Sequence, residues 1–100
     1  MPLRQVFLNG RLVPEPEAKI SIFDAGFTLG DTVTESTRTF GHQPFRLERH
    51  IERLYKSLKV TRIDPGCSPA EMTRHSLEVL EANLSLLEGE EDTWLVHNIT

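Results

Sequence analysis

Apolar residues in the middle of the chain recur at helical spacing. The apolar stripe consists of Leu47, Ile51, Leu54 and Leu58. Because these positions are separated by four, three and four residues, they share one face of an α-helix, and the pattern predicts a helix over residues 47–60. His50, Arg53 and Ser57 lie on one flank of this stripe, with Arg53 farthest from its centre. We therefore expect Arg53 to extend past the core into an adjoining cleft.

A second helix is predicted after the break at Asp64-Pro65-Gly66. Ser68 is suited to the N-cap and Pro69 to the first turn, and Glu71 completes a capping box. Leucines then recur at spacings of three, four and three, at Leu77, Leu80, Leu84 and Leu87. Gly89 is a typical helix terminator, so this helix is expected to extend from Ser68 towards Gly89.

Strand patterns precede and follow the two helices. Asn9-Gly10, between two short apolar segments, predicts a hairpin with a type I′ turn. Further short strands are predicted over residues 18–23 and 93–100, with a turn at residues 24–26. Because strands come first, two helices follow and a strand returns, we expect one α+β domain with a largely antiparallel sheet and two helices.

The strand predicted over residues 32–40 is unusually polar. Its two alternating faces carry Val33, Glu35, Thr37 and Thr39 on one side and Thr34, Ser36, Arg38 and Phe40 on the other. A strand without an apolar face is either exposed or lines something polar. Gly41-His42 suits a two-residue turn with glycine first, which would return the chain through residues 43–45.

Composition excludes several classes of protein. The chain has 100 residues, of which 38% are hydrophobic and 26% charged, as in an ordinary globular domain. Its apolar runs are far shorter than the roughly 20 residues of a membrane span, so no membrane partner is expected. The single cysteine, Cys67, excludes an internal disulfide and a cysteine-based metal site. A reduced, cytoplasmic location is therefore the expectation.

Charge is distributed unevenly along the chain. Residues 1–62 carry ten basic and seven acidic side chains, a net charge of +3, whereas residues 63–100 carry one basic and eight acidic side chains, a net charge of −7. The basic middle of the chain could bind an anionic ligand, although solvated helix faces give the same pattern. Because the whole chain is acidic and has no nucleic-acid recognition motif, no nucleic-acid partner is expected.

The sequence contains no recognisable motif for metal binding or nucleophilic catalysis. No two of its four histidines have the i,i+4 spacing of a helical metal site, so no metal is expected. The sequence also lacks the nucleophile-elbow motif that would point to a Ser-His-carboxylate triad. Glycosylation sequons at Asn83 and Asn98 are discounted, because Asn83 lies within a predicted helix and nothing indicates secretion.

Several segments, taken in order, resemble the N-terminal domain of the class IV aminotransferases. This fold type of pyridoxal-phosphate enzymes includes branched-chain aminotransferases, D-amino acid aminotransferases, (R)-selective amine transaminases and aminodeoxychorismate lyase. The similar segments are residues 7–10, 18–27, 30–35, 45–54 and 98–100. The specific part is a His-x-x-Arg-Leu helix after a Gly-Asp-x-Val-x-Glu strand. The resemblance implies that residues 1–100 form the small N-terminal domain of a two-domain enzyme.

The resemblance also implies roles for individual residues. Arg53, the arginine of the His-x-x-Arg-Leu helix, would bind the cofactor phosphate. Phe27 would form a wall of the substrate pocket, and Arg38, which matches an arginine seen in the branched-chain group, is assigned to substrate binding. For Glu35, the resemblance implies a structural or pocket-lining role. Val96 departs from the family pattern, because relatives that bind a substrate carboxylate often have Arg or Tyr there, and this puts branched-chain or D-amino acid specificity in question.

For the whole enzyme, the resemblance implies pyridoxal 5′-phosphate as cofactor, an amino donor and a 2-oxo acid as substrates, and a homodimer. The Schiff-base lysine of the family is expected downstream of Thr100, in a catalytic domain absent from this chain. Because Lys19, Lys56 and Lys59 do not match it, no catalytic residue is assigned and the truncated chain alone is expected to be inactive. Two alternatives stay open: an aminodeoxychorismate lyase, and a non-catalytic domain that binds a protein partner through its polar strand.

Overall fold

The computed structural model describes residues 3–89 and 91–100. The strands are β1 (Gln5–Leu8), β2 (Arg11–Pro14), β3 (Val33–Phe40), β4 (Gln43–Pro44) and β5 (Trp94–Ile99), and the helices are α1 (Ala25–Leu29), α2 (Leu47–Thr61) and α3 (Pro69–Asn83). Short 3₁₀ turns occupy Glu15–Glu17 and Leu84–Leu86. Within the described ranges, no helix has the length and apolar character needed to cross a membrane.

The strands confirm an α+β fold with antiparallel pairing, although the described residues form two sheets instead of one. β1 and β2 make a separate hairpin, and the other sheet has the order β4-β3-β5. In the larger sheet, β3 pairs with β5 from Val33↔Ile99 to Arg38↔Trp94. The last strand thus returns beside β3, which places β3 at the centre of its sheet.

The prediction of a strand over residues 18–23 is wrong. The chain forms no strand in this range, and its backbone hydrogen bonds are local, as in Lys19 N–H to Glu17 O (3.0 Å) and Asp24 N–H to Ser21 O (3.1 Å). Among the described residues, no strand pairs with this segment. The turn predicted at residues 24–26 is the start of α1, a third helix, which is capped by the Asp24 carboxylate accepting from Gly26 N–H (2.9 Å).

Both tight hairpin turns form where the glycines predict them. Asn9 and Gly10 have φ values of 49° and 94°, the left-handed pair that a type I′ turn requires. Gly41 and His42 also both have positive φ, 56° and 66°. The Asp92 carboxylate stabilises this second turn, because it accepts hydrogen bonds from the backbone N–H of His42 (2.9 Å) and Gly41 (3.3 Å).

The apolar stripe of α2 forms the centre of the core. The buried cluster contains Leu47, Ile51, Leu54, Leu58, Met72, Leu80 and Leu95. Leu54 is completely buried, with 0% of its surface exposed. The helix over residues 47–60 is therefore confirmed, and it extends one residue further, to Thr61.

The capping box at the start of α3 is confirmed. Ser68 accepts from Glu71 N–H (3.1 Å), and the Glu71 carboxylate accepts from Ser68 N–H (3.1 Å). The helix ends at Asn83, well before Gly89, and a 3₁₀ turn follows. Asn83 pairs with the backbone of Gln5, accepting from its N–H (2.8 Å) and donating to its carbonyl (2.9 Å). This side chain thus ties the β1–β2 hairpin to α3, and its amide is already engaged.

The polar strand β3 turns one face towards the helices. Glu35, Thr37 and Thr39 are buried on that face, and the residues between them are exposed. The Thr39 hydroxyl donates to the Asp92 carboxylate (2.8 Å). The strand is therefore neither fully exposed nor lining a polar cavity along its length, because a buried polar face packs under α2.

We predict that Gly26→Ala destabilises the chain by about 1–3 kcal/mol, because its added methyl group would overlap Thr100 Cγ2 and force a shift. Urea denaturation measures this loss in free energy of unfolding. In a Thr100→Ala background the overlapping methyl group is absent, so the loss should fall by at least half. An equal loss in both backgrounds would contradict the close approach between α1 and the end of β5.

Candidate functional site

A buried carboxylate lies between α2 and the central strand of the sheet. Glu35 projects from β3 and is only 6% exposed. His50 and Arg53 are one turn apart on α2, on the flank of the apolar stripe. The helical spacing therefore brings two basic side chains over one acidic residue of the strand.

The three side chains are joined by direct hydrogen bonds. Arg53 donates from Nε to Glu35 Oε2 (3.0 Å) and from Nη2 to Oε1, which is the bidentate arrangement that suits a guanidinium and a carboxylate. His50 donates from Nδ1 to Oε1 (2.7 Å), since an ionised carboxylate only accepts. Each Glu35 oxygen therefore accepts at least one hydrogen bond from a basic side chain.

The charge of this buried carboxylate is stabilised by its partners. The hydrogen bonds from Arg53 lower the pKa of Glu35 to about 2, although burial acts in the opposite direction, and the His50 hydrogen bond adds to the lowering. Glu35 in turn raises the pKa of the Arg53 guanidinium. The pair is thus ionised throughout the neutral range.

Arg53 is anchored at one edge and open at the other. Its side chain is 67% exposed. A guanidinium has five N–H donors, and the bonds to Glu35 use one on Nε and one on Nη2. The remaining three donors, two on Nη1 and one on Nη2, form an outer edge that could bind an anion such as phosphate.

A second buried polar pair lies beside Glu35, and sequence reasoning missed it. His97 is the cross-strand partner of Glu35 and binds Ser76 of α3, with 2.8 Å between Nε2 and Oγ. The Ser76 hydroxyl donates to Met72 O (2.7 Å), so His97 Nε2 is the donor to Ser76. Burial lowers the pKa of His97. Ser76 is 3% exposed and His97 is 8% exposed, so the pair fixes α3 to the sheet and is not a nucleophile open to substrate.

Arg38 lies on the face of β3 opposite to Glu35. The alternation along the strand buries Glu35 and exposes Arg38. The Arg38 guanidinium stacks 4.7 Å from the centroid of the Phe40 ring. It also lines, with Asp92, Thr93 and Trp94, an open depression of about 420 Å³. The structure therefore does not bring Arg38 and the Glu35 cluster to one face of the sheet.

Phe27 projects from the short helix α1 and is 68% exposed. Its neighbours in sequence expose large apolar side chains as well, with Phe23 83% and Leu29 74% exposed. Phe27 is therefore not a core residue within this chain, as an ordinary buried phenylalanine would be. Its role in a substrate pocket stays a prediction.

A larger groove between α2 and α3 involves none of the predicted site residues. It has a volume of about 470 Å³, and Tyr55, Lys56 and Thr73 are among its lining residues. It lies apart from the chemistry described above, because neither Glu35, Arg53, Arg38 nor Phe27 contributes to its lining.

We predict that Glu35→Gln makes the chain less stable at pH 7 by about 2 kcal/mol, given the lowered pKa of Glu35 and the screening of its exposed partner. A carboxylate with a lowered pKa stabilises the fold above its unfolded pKa, near 4.5, and loses that effect as the pH falls towards 2. The stability difference between the two chains, measured by urea denaturation, should therefore shrink between pH 5 and pH 2. Glu48→Gln, at an exposed position of α2, is the control, and a difference independent of pH would contradict the assignment.

Comparison with known proteins shows what the chain as a whole is similar to. No protein-family model matches the chain. Over 79 residues it is 42% identical to a putative branched-chain-amino-acid aminotransferase of Methanocaldococcus jannaschii, covering 79% of this chain and 27% of that protein. Over 81 residues it is 40% identical to the aminodeoxychorismate lyase of Bacillus subtilis, covering 81% and 26%.

A solved structure agrees with these sequence relatives. The branched-chain aminotransferase of Thermoproteus uzoniensis, crystallised with norvaline, superposes with a TM-score of 0.78 and 32% identity, covering 90% of this chain and 30% of that one. The chain belongs to the class IV aminotransferase family. It spans little more than a quarter of the length of the curated relatives it matches.

The class IV aminotransferases imply a pyridoxal-phosphate cofactor, and the donor set of this chain fits its phosphate group. The outer edge of Arg53 offers three N–H donors in one plane, which matches phosphate oxygens. The bonds to Glu35 hold that plane in one orientation. The outer edge of Arg53 therefore fits a phosphate group, and its role in holding the cofactor stays a prediction.

Two signals in the sequence could have identified Glu35 as the partner of Arg53. His50 and Arg53 are three residues apart on one helix flank, and the polar strand carries one carboxylate in its centre. What the sequence lacks is the register between strand and helix, which only the packing supplies. The pairing of Ser76 with His97 has no comparable signal, because both residues are isolated in their segments.

Proposed function

We propose that this chain is the small N-terminal domain of a pyridoxal-phosphate-dependent class IV aminotransferase. The whole enzyme would transfer an amino group between an amino acid or amine and a 2-oxo acid. The supporting observation is Arg53, whose anchored guanidinium has an outward edge of phosphate-binding geometry. The match to about a quarter of the length of aminotransferase relatives supports the assignment to one part of a longer enzyme.

Bound pyridoxal phosphate would supply the chemistry, as a carrier of the amino group and a sink for the electrons of the substrate. The contribution of this domain is binding and orientation. Arg53 would bind the phosphate at one end of the cofactor and so fix the position of its reactive end. Glu35 and His50, in this scheme, do not touch the cofactor.

Substrate contacts would come from two exposed residues on other parts of the domain. Phe27, on α1, offers an apolar ring as a pocket wall, and Arg38, on the open face of β3, offers a cation for an anionic substrate group. Val96 lies on the same open face as Arg38 and is 50% exposed. It gives that face an apolar residue where a carboxylate-binding side chain would otherwise extend.

The lysine that holds the cofactor would come from another domain. Lys19, Lys56 and Lys59 are all exposed, and Lys56 pairs with Glu52 at 3.4 Å on the surface of α2. None of them lies in a desolvated pocket of the kind that activates a lysine nucleophile. We further propose that the whole enzyme is a homodimer in the cytoplasm, as the resemblance and the lone Cys67 suggest.

The test of this function has two parts. In the 100-residue chain, incubation with micromolar pyridoxal phosphate followed by borohydride should leave no stoichiometric lysine adduct by mass spectrometry. In the full-length protein, the same treatment should label a lysine that lies beyond Thr100. A stoichiometric adduct on Lys19, Lys56 or Lys59 would contradict the proposal.

A lyase is the second candidate, and the 40% identity to an aminodeoxychorismate lyase favours it. It would use the same Arg53 for the same phosphate. Pyruvate release from aminodeoxychorismate, compared with amino-group transfer between amino acids and 2-oxo acids by the same full-length protein, distinguishes the two. Transfer without pyruvate release is the result that the first proposal predicts.

A further inference from the structure

The position of Arg53 depends on the buried carboxylate of Glu35, to which it donates two hydrogen bonds. Arg53 has a long side chain that is 67% exposed, and such a side chain ordinarily samples many rotamers in water. Glu35 removes that freedom, because it accepts both the Nε and the Nη2 hydrogen bonds. The exposed arginine is thereby fixed at one edge.

Glu35 is itself held rigidly. It lies on β3, the central strand of its sheet, where it is paired across the sheet with His97. Its Oε1 atom also accepts from His50 Nδ1 at 2.7 Å, and the side chain is 6% exposed. A binding residue supported in this way by a rigid element and a second layer of hydrogen bonds keeps its geometry before the ligand arrives.

We propose that Glu35 is a positioning residue, which holds Arg53 by its Nε edge and presents the opposite edge to the phosphate of the cofactor. This inference rests on the proposed function, since it assumes that Arg53 binds the cofactor phosphate. It adds a second residue, Glu35, whose effect on cofactor binding acts only through Arg53.

The opposing effect of the Glu35 charge must be weighed against this gain. A carboxylate near the site repels an anionic phosphate, but the exposed guanidinium lies between them in a region open to solvent, where screening is strong. Pre-ordering Arg53 removes much of the rotamer entropy that binding would otherwise lose, which is large for arginine. We therefore expect Glu35 to strengthen binding on balance, by a factor of about 3–10.

A double-mutant cycle on the full-length protein tests the inference. Equilibrium dialysis measures the dissociation constant for pyridoxal 5′-phosphate in the unaltered protein, in Glu35→Gln, in Arg53→Ala and in the protein with both changes. Glu35→Gln should weaken binding about 3–10-fold when Arg53 is present. With alanine at position 53, the same change should alter binding less than about twofold, because no guanidinium remains to be positioned.

Three outcomes are distinguishable from the expected one. Equal weakening in both backgrounds would show a merely structural role for Glu35 and overturn the inference. Tighter binding by Glu35→Gln would show that charge repulsion dominates and would also overturn it. No effect of Arg53→Ala by itself would instead overturn the proposed function.

A spectroscopic measurement on the unliganded 100-residue chain tests the positioning of Arg53 without a cofactor-binding assay. In ¹H–¹⁵N spectra, Arg53 should show a distinct Nε–H resonance in slow exchange with water, whereas the exposed Arg49 on the same helix should not. Glu35→Gln should move the Arg53 signal towards that of Arg49. Glu48→Gln, an equal change of charge on α2, is the matched control and should leave the Arg53 signal in place. An averaged Arg53 signal in the unaltered chain would contradict the positioning.

Discussion

Arg53→Ala should weaken the binding of pyridoxal 5′-phosphate to the full-length protein about 100-fold. The expected loss corresponds to roughly 2–3 kcal/mol, the range of charge-assisted hydrogen bonds from a guanidinium to an anion. Dialysis against cofactor-free buffer, followed by absorbance of the retained cofactor, measures the change. The fold should be affected less than binding, because Arg53 is largely exposed, although Glu35 loses its main partner.

Arg49→Ala is the matched control for this variant. Arg49 lies one turn before Arg53 on α2 and is exposed, but it has no hydrogen bond to Glu35. Its removal changes the net charge by the same amount and should leave cofactor retention within about twofold. Similar losses in the two variants would show that a diffuse basic surface, and not Arg53, attracts the phosphate.

Leu54→Ala should destabilise the chain by about 3–4 kcal/mol, a large part of the stability of a domain of this size. Leu54 is 0% exposed and lies in the core cluster, next to Arg53 in sequence but on the buried face of the helix. The loss combines the transfer of its side chain with a cavity that neighbouring leucines fill only in part. Urea denaturation followed by circular dichroism measures it.

Val60→Ala controls for the change of helix propensity in the same element. Val60 also lies on α2, but its side chain is 82% exposed, so truncation should change the free energy of unfolding by less than about 0.5 kcal/mol. A small effect of Leu54→Ala would contradict the placement of the α2 stripe in the core. Substitutions at the adjacent residues Leu54 and Arg53 should therefore have different main effects, the first on stability and the second on ligand binding.

Periodic and turn patterns predicted most of the secondary structure. The four-residue and three-residue spacing of the α2 stripe, the capping box at Ser68 and the glycine turns are local signals, and each of them formed where the pattern predicted. The strand predicted over residues 18–23 failed because a local sequence pattern does not supply a partner strand, and none pairs with this segment among the described residues. α3 ends at Asn83, before the predicted Gly89, and the Asn83 side chain pairs with the backbone of Gln5, a long-range contact that no local pattern contains.

The candidate site was predictable only in part, because some of its contacts are local in sequence and others are long-range. Helical geometry placed His50 and Arg53 on one flank of the stripe, and family resemblance gave Arg53 a ligand. Glu35 joins them only through the packing of α2 on β3, which is a long-range contact. The polarity of β3 was visible in the sequence, but its cause, a buried carboxylate and two buried threonines facing the helices, required the fold.

Titration of the 100-residue chain with pyridoxal 5′-phosphate, followed through the arginine side-chain signals in ¹H–¹⁵N spectra, tests the central claim most directly. The claim is that the Arg53 guanidinium, anchored by Glu35, binds the phosphate through its outer edge. We predict that the Arg53 signals shift with increasing ligand, that inorganic phosphate shifts the same signals, and that those of Arg49 and Arg38 move much less. Uniform small shifts at all arginines, or an unchanged Arg53, would contradict the claim.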